Sequence, residues 1–300
     1  MSDTATGRGP TVVTSAVLRD WPLPDVSEGD GKEARGDVVV IGGAIDTPGA
    51  VLLAGLAALR AGAGRLTMGT VEANASGLAI AVPEAAVTGL PDTDGRLGVE
   101  AVEAARSLVD GADAVLLGPG LRGVDESRAF VAGLLGYLDP RTTLVVDAMG
   151  LTCGAVDASA SRRHGGRLVA TPNNKEAALL LHGVASGERG NLDPAEAAPR
   201  LAAELQAVIA LESFIATPDD RRWVDGSGNS GLGTSGSGDV LAGTITGLAA
   251  RGATPDQATV WGVHLHAEAG ERLAAKVGRL GYLARELLNE LPRVLDELDN

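Results

Sequence analysis

The chain of 300 residues carries 25 Lys plus Arg against 39 Asp plus Glu, with 42 glycines but only three Trp, two Tyr and two Phe. A net charge of −14 argues against a nucleic-acid ligand, which needs basic side chains to displace counterions, and the scarcity of rings removes base-stacking platforms. With three lysines in all (Lys32, Lys175 and Lys276), an anionic ligand must lean on backbone amides and helix ends.

Residues 1–35 read as an N-terminal extension broken by Pro10, Pro22 and Pro24, whose VLRDWPLP stretch can pack on the domain through Leu18, Trp21 and Leu23. From residue 36 to 300 the pattern is that of one domain. DVVVIGG (37–43) is a β-branched run stopping at two glycines. PGAVLLAGLAALRAGAG (48–64) is a helix with Pro48 in its first turn and Gly62 or Gly64 at its stop. Strands follow at 65–71, 112–120, 143–148 and 167–172, with helices at 101–111 and 126–138 between them. Helices are expected at 174–183 and 193–206, the second interrupted by Pro199, then strands at 207–217 and 221–226. Beyond Gly236 the chain reads as three helices. Continuous apolar strands such as VVVI and AVLL, alternating with helices, predict a mostly parallel sheet covered on both faces.

The first residues lack the basic and apolar segments of a signal peptide, and no run reaches bilayer length. The expectation is a cytoplasmic protein with no membrane partner. Cys153 reads as a small buried hydrophobe.

GPGLRG (118–123) matches the dinucleotide fingerprint G-x-G-x-x-G, but so do GSGNSG (226–231) and GLGTSG (231–236), so the expression carries little weight in this chain. GNSGLGTSGSGDVLAGTITGLAARG (228–252) says more. Its glycines run into a helix beginning near Ser237, which makes a phosphate-binding anion hole of loop amides and a helix start. Asp239, just inside that helix, either serves as the base of a phosphoryl-transfer site or merely favours the helix N-terminus. Asp147 ends a strand where open α/β sheets bind ligands, and reads equally as a turn or cap residue. Asn173, in TPNNKE, contacts ligand or caps the next helix. His264 and His266 stand two apart on a helix and point to different faces, which speaks against a metal pair, and no metal site is expected. His164 and His182 are isolated.

VVVIGGAIDTPGAVLLAGLAALRAGAGRL, AVPEAAV, ADAVLLGPGL, LVVDAMGL, LVATPNNKEAALLL, the 228–252 segment, TVWGVHLHAEAG and GYLARELLNELPRVL together resemble the ADP/ATP-dependent NAD(P)H-hydrate dehydratases of the ribokinase-like superfamily, over about residues 16–297. The resemblance implies a three-layer α/β/α fold. It also implies an enzyme that uses a nucleotide to phosphorylate the ring hydroxyl of NAD(P)HX and eliminates phosphate to restore NAD(P)H. By position it implies Asp239 as the catalytic group contacting the hydrate. Ala50, Gly120 and Asn173 would line the hydrate pocket, and Gly238, with Gly236 and Ser237, would hold ADP or ATP assisted by Mg2+. A homotetramer and a separate NAD(P)HX epimerase are the implied partners. Two departures stand out: TPNNKE replaces the family's T-P-H-P-G-E, and Glu212-Ser213 replaces its K-G beside the nucleotide. A hydroxymethyl kinase of the same superfamily and a non-catalytic nucleotide-binding protein are the alternatives.

Overall fold

The structure is a computed structural model describing residues 9–26, 31–182 and 192–299. Residues 1–8 and 27–30 of the expected extension, Gly183 of the expected 174–183 helix, and Asn300 lie outside the described residues. The chain enters through β1 (Thr11–Val13) and α1 (Ser15–Arg19) and then alternates: β2 (Asp37–Ile41), α2 (Pro48–Arg60), β3 (Arg65–Val71), α3 (Glu72–Ala81), β4 (Ala85–Leu90), α4 (Val102–Val109), β5 (Ala114–Leu117), α5 (Val124–Leu135). It continues as β6 (Thr143–Val146), α6 (Ala148–Thr152), α7 (Ala158–Arg163), β7 (Leu168–Ala170), α8 (Asn174–His182) and α9 (Pro194–Leu205). A hairpin region, β8 (Val208–Leu211), β9 (Phe214–Ala216) and β10 (Arg222–Asp225), precedes α10 (Ser237–Ala250), α11 (Pro255–Lys276) and α12 (Ala284–Asp299).

The strands form one sheet in the order β1-β10-β9-β8-β7-β6-β5-β2-β3-β4. Every pairing is parallel except those of β9, which runs against both β8 and β10. Alternate residues of the apolar strands serve the two faces. Val38, Val40 and Leu116 pack with α2, α10, α11 and α12, while Val39, Ile41 and Leu117 pack with α4, α5 and α9. Burial on both faces is why these strands are continuously apolar, and the expected three layers are present.

Several local expectations change. The run 207–217 is two antiparallel strands turned at Glu212 and Ser213, because Glu212 adopts φ +53°, a left-handed conformation that no extended strand contains. Helix α9 runs through Pro199: one lost hydrogen bond is outweighed by the burial of Ala197, Ala198, Leu201 and Ala202. Within residues 1–35, Thr11–Val13 pairs with Trp223–Asp225. Leu18 and Leu23 are buried, and Trp21 stacks on Trp223 with centroids 5.9 Å apart.

Helix α10 lies unusually close to α2. A Cβ on Gly243 would stand 2.1 Å from the Ala54 carbonyl oxygen, and one on Gly247 would stand 2.4 Å from that of Ala58. Glycine at these two positions lets the backbones meet.

Candidate active site

From β2 the chain proceeds outward to β3 and β4, then returns to β5 on the other side, so strand order reverses between β2 and β5. The crevice outside such a reversal is where open α/β sheets accept ligands. Here both strands end in glycine. Gly43 N–H donates to the Pro119 carbonyl (2.7 Å), and the Thr47 hydroxyl donates to the Gly120 carbonyl (2.6 Å). Gly120 has φ +69°, and a Cβ there would lie 2.7 Å from the Thr47 carbonyl and 3.0 Å from Ala50 Cβ. Ala50 and Gly120, expected in one pocket, therefore sit side by side.

A second region forms beyond β10. Asn229 Oδ1 accepts from Gly231 N–H (2.9 Å) and from the Tyr282 hydroxyl (3.2 Å), which anchors the middle of the glycine loop to the segment after α11. Gly236 ends the loop at φ +88° as the N-cap of α10; a Cβ on it would lie 2.5 Å from Leu53 of α2. Of the first-turn amides of α10, Ser237 N–H donates to the Thr234 carbonyl (3.2 Å), which leaves those of Gly238 and Asp239, without an intrahelical acceptor, to face an anion. Ser237, Gly238, Glu212, Ser213 and Asn173 all line one cleft of about 740 Å³. Gly236, Ala50, Gly120 and Asp239 are not among its lining residues. The expected residues thus fall into a cleft group and a β2/β5 group, with Asp239 on the helix that opens the first and packs on α2, which carries the second.

The two departures from the family pattern touch. The side-chain amide of Asn174, in the first turn of α8, donates to the Glu212 carboxylate. Asn173 Oδ1 accepts from the N–H groups of Lys175 (2.9 Å) and Glu176 (3.1 Å), while Glu176 accepts from Asn173 N–H (2.9 Å). This is a reciprocal capping box, so Asn173 caps α8 and also lines the cleft.

Three carboxyl groups lie near one another, Asp147 at the end of β6, Glu176 in the first turn of α8 and Asp239 in the first turn of α10. Asp147 is buried at the end of β6, accepting from the Thr171 hydroxyl at 2.9 Å. Burial, then the nearby Asp239 and Glu176 charges, push its carboxyl up to about 7. Burial and Glu176 push Asp239 up to about 6, and burial raises Glu176 as well. Glu176 was not among the expected site residues, although N-x-x-E ahead of an apolar helix announces it. Arg279 was also missed. It is the only Lys or Arg among the residues lining the cleft, and nothing in RLGY marks it.

His264 and His266 do not converge. His264 Nδ1 lies 2.7 Å from Asp225 Oδ2, and His266 Nε2 lies 2.9 Å from Ser237 Oγ.

The NAD(P)H-hydrate dehydratase family profile matches residues 38–293. The chain belongs to this family. It is 41% identical to the ADP-dependent (S)-NAD(P)H-hydrate dehydratase of Xanthomonas campestris pv. campestris, over 97% of this chain and 98% of that one. It is 36% identical to the bifunctional NAD(P)H-hydrate repair enzyme Nnr of Moorella thermoacetica over 96% of this chain, and spans 54% of that longer protein. The crystal structure of the ADP/ATP-dependent NAD(P)H-hydrate dehydratase from Bacillus subtilis, co-crystallised with ATP/Mg2+, superposes with a TM-score of 0.78 at 30% identity, covering 97% of this chain and 99% of that one. Solved ribokinase-like structures share the three-layer architecture across nearly the whole chain.

Proposed function

We propose that this member of the family is a nucleotide-dependent hydro-lyase that returns hydrated nicotinamide cofactor, NAD(P)HX, to NAD(P)H. One observation carries the reading. Asp239 stands in the first turn of α10, which opens the cleft with its amides and packs on α2, the helix of Ala50. This position supports the reading of Asp239 as a proton acceptor between the nucleotide and the strand-reversal crevice.

In this reading Gly236, Ser237 and Gly238 border the phosphates of ADP or ATP, with the Gly238 amide donated to them while Ser237 N–H is held by the Thr234 carbonyl. The Glu212–Ser213 turn borders them, and Arg279 supplies the positive side chain. Ala50, Gly120 and Asn173 border the hydrate. Asp239 takes the proton of the ring hydroxyl as its oxygen attacks the terminal phosphorus of ADP, and the bond from that phosphorus to AMP breaks. Loss of phosphate from the ring, with a proton leaving the adjacent carbon, restores the double bond. A carboxyl near 6 is mostly ionised at pH 7 and still basic enough to accept a proton.

Among the described residues no group of three His, Cys, Asp or Glu is placed to hold a metal ion. The all-oxygen pair Asp147 and Glu176, each raised by burial, suits a hard cation that completes its shell from phosphates and water. Mg2+ held there would neutralise charge on the transferring phosphoryl group.

The same reading places the enzyme in the cytoplasm as a homotetramer, working after a separate NAD(P)HX epimerase. No helix among the described residues is long and apolar enough to cross a membrane. Exposed Val277, Leu280 and Leu283 leave apolar surface for subunit contact; light scattering tests for the tetramer. The decisive assay mixes the protein with Mg2+, NADHX and either ADP or ATP and follows the NADH absorbance band. The band grows with at least one nucleotide; if neither produces NADH, the dehydratase reading fails.

A further inference from the structure

The glycine loop 226–236 is short of side chains that could fix its course, since five of its eleven residues are glycine. Its two ends are nevertheless held by one helix. At the entry, Asp225 closes β10, its Oδ2 2.7 Å from His264 Nδ1 while its Oδ1 accepts from Ser227 N–H at 2.7 Å. At the exit, Ser237 opens α10, its hydroxyl 2.9 Å from His266 Nε2. All four side chains are buried. Asp225, Ser227, Ser237 and His266 also line the cleft.

We propose that His264 and His266 are positioning residues for the nucleotide site, clamping the two ends of the glycine loop so that its amides stay aimed at the phosphates. The inference rests on the nucleotide reading of the cleft. Two residues apart, the rings leave α11 on different faces, which makes a shared metal impossible but lets one rigid helix reach two loop ends. The helix itself is buried from Asp256 to His266 and beyond, so it cannot shift to follow a slack loop. At the exit the contact is a neutral one, because burial pushes the His266 imidazole down to about 4. At the entry it is charge-assisted: burial opposes ionisation of Asp225, but the His264 and Ser227 bonds outweigh it and hold the carboxyl below its ordinary range. Loss of either clamp leaves the amides in place along the chain yet poorly aligned. Misalignment penalises nucleotide binding and transfer before it penalises the β2/β5 pocket.

The test measures ADP affinity by titration calorimetry and hydrate KM by NADH formation, with thermal melting as a folding control. His266→Ala is expected to weaken ADP binding about tenfold and lower kcat, with hydrate KM changed less than twofold. His266→Gln, which keeps a hydrogen-bonding group, recovers most of the loss. Ser237→Ala on top of His266→Ala adds nothing further. His264→Ala strands a buried carboxylate and threatens folding, so the entry clamp is tested with His264→Gln, expected to weaken ADP binding less than Asp225→Ala. Equal loss of hydrate and ADP affinity, no loss of either, or additive effects of His266→Ala and Ser237→Ala would overturn the clamp. Wild-type protein that binds a nucleotide but forms no NADH with either ADP or ATP overturns the dehydratase reading and leaves the clamp standing on the binding data; wild-type protein that binds neither ADP nor ATP overturns both.

Discussion

The side-chain amide of Asn174 donates to the Glu212 carboxylate, fastening the first turn of α8 to the β8–β9 turn. If the cleft takes phosphates as proposed, an acidic side chain at its edge repels them, and this bond holds it at a fixed place there. Glu212→Gln keeps an acceptor for Asn174 and removes the charge. ADP is expected to bind a few-fold tighter, about 1 kcal/mol for one partly exposed charge. Calorimetry showing weaker binding would contradict that account.

Asp239→Asn keeps the size of the side chain and removes the proposed base. The turnover number should fall by about 10²–10⁴ while ADP affinity stays within about twofold, as fits a group acting on the transferred proton. In the wild type the base must be ionised. With its carboxyl near 6, kcat/KM should drop about tenfold per unit below that pH and level off above it. A pH profile flat from 5 to 8 would remove Asp239 from this role.

Asp147 is a stability cost at high pH. Its folded-state pKa near 7 lies above that of an unfolded aspartate, about 3.9. The folded chain therefore holds this proton more tightly, and the stabilisation is fully present below pH about 4 and lost as pH rises through 7. Asp147→Asn should melt several degrees higher than wild type at pH 8.5, with the gap closing towards pH 5. An unchanged or lowered melting temperature at pH 8.5 counts against the burial argument.

Two glycines on α10 separate packing from binding. A Cβ on Gly243 collides with the Ala54 carbonyl, whereas one on Gly238 meets nothing within 4 Å. Gly243→Ala should cost about 1–3 kcal/mol in a chemical denaturation curve. Gly238→Ala should leave that curve alone and weaken ADP binding, because its methyl group enters the cleft.

Arg279 should contribute to nucleotide affinity through its charge. Arg279→Ala is expected to raise the ADP dissociation constant about fivefold at low salt, with a smaller effect at high salt. Equal affinity at both salt concentrations would place the side chain away from the phosphates.

The sheet was readable because burial on both faces leaves unbroken apolar runs such as VVVI and AVLL, and the start of α10 at Ser237 because five glycines lead into an apolar helix there. The β8–β9 turn was not, since Glu212-Ser213 lacks the Asn-Gly or Gly-containing signal of tight hairpins and sits inside an apolar run. Three residues at Thr11–Val13 that find a partner at Trp223–Asp225 leave no local mark either. Asp147, Glu176 and Asp239 each appear ordinary in the sequence. Their mutual influence arises only when the sheet order brings the ends of β6 and β7 beside α10.

The close seating of α10 on α2 joins the helix that opens the cleft and the helix beside the β2/β5 crevice in a single rigid body. The helix that starts at Ser237 and the helix that bears Ala50 cannot move apart or slide without opening a void beside Gly243 and Gly247. A larger side chain at Gly243 or Gly247 would therefore displace the start of α10 and the helix of Ala50 relative to each other. On the proposed reading, the register of these two helices sets the distance between nucleotide and hydrate.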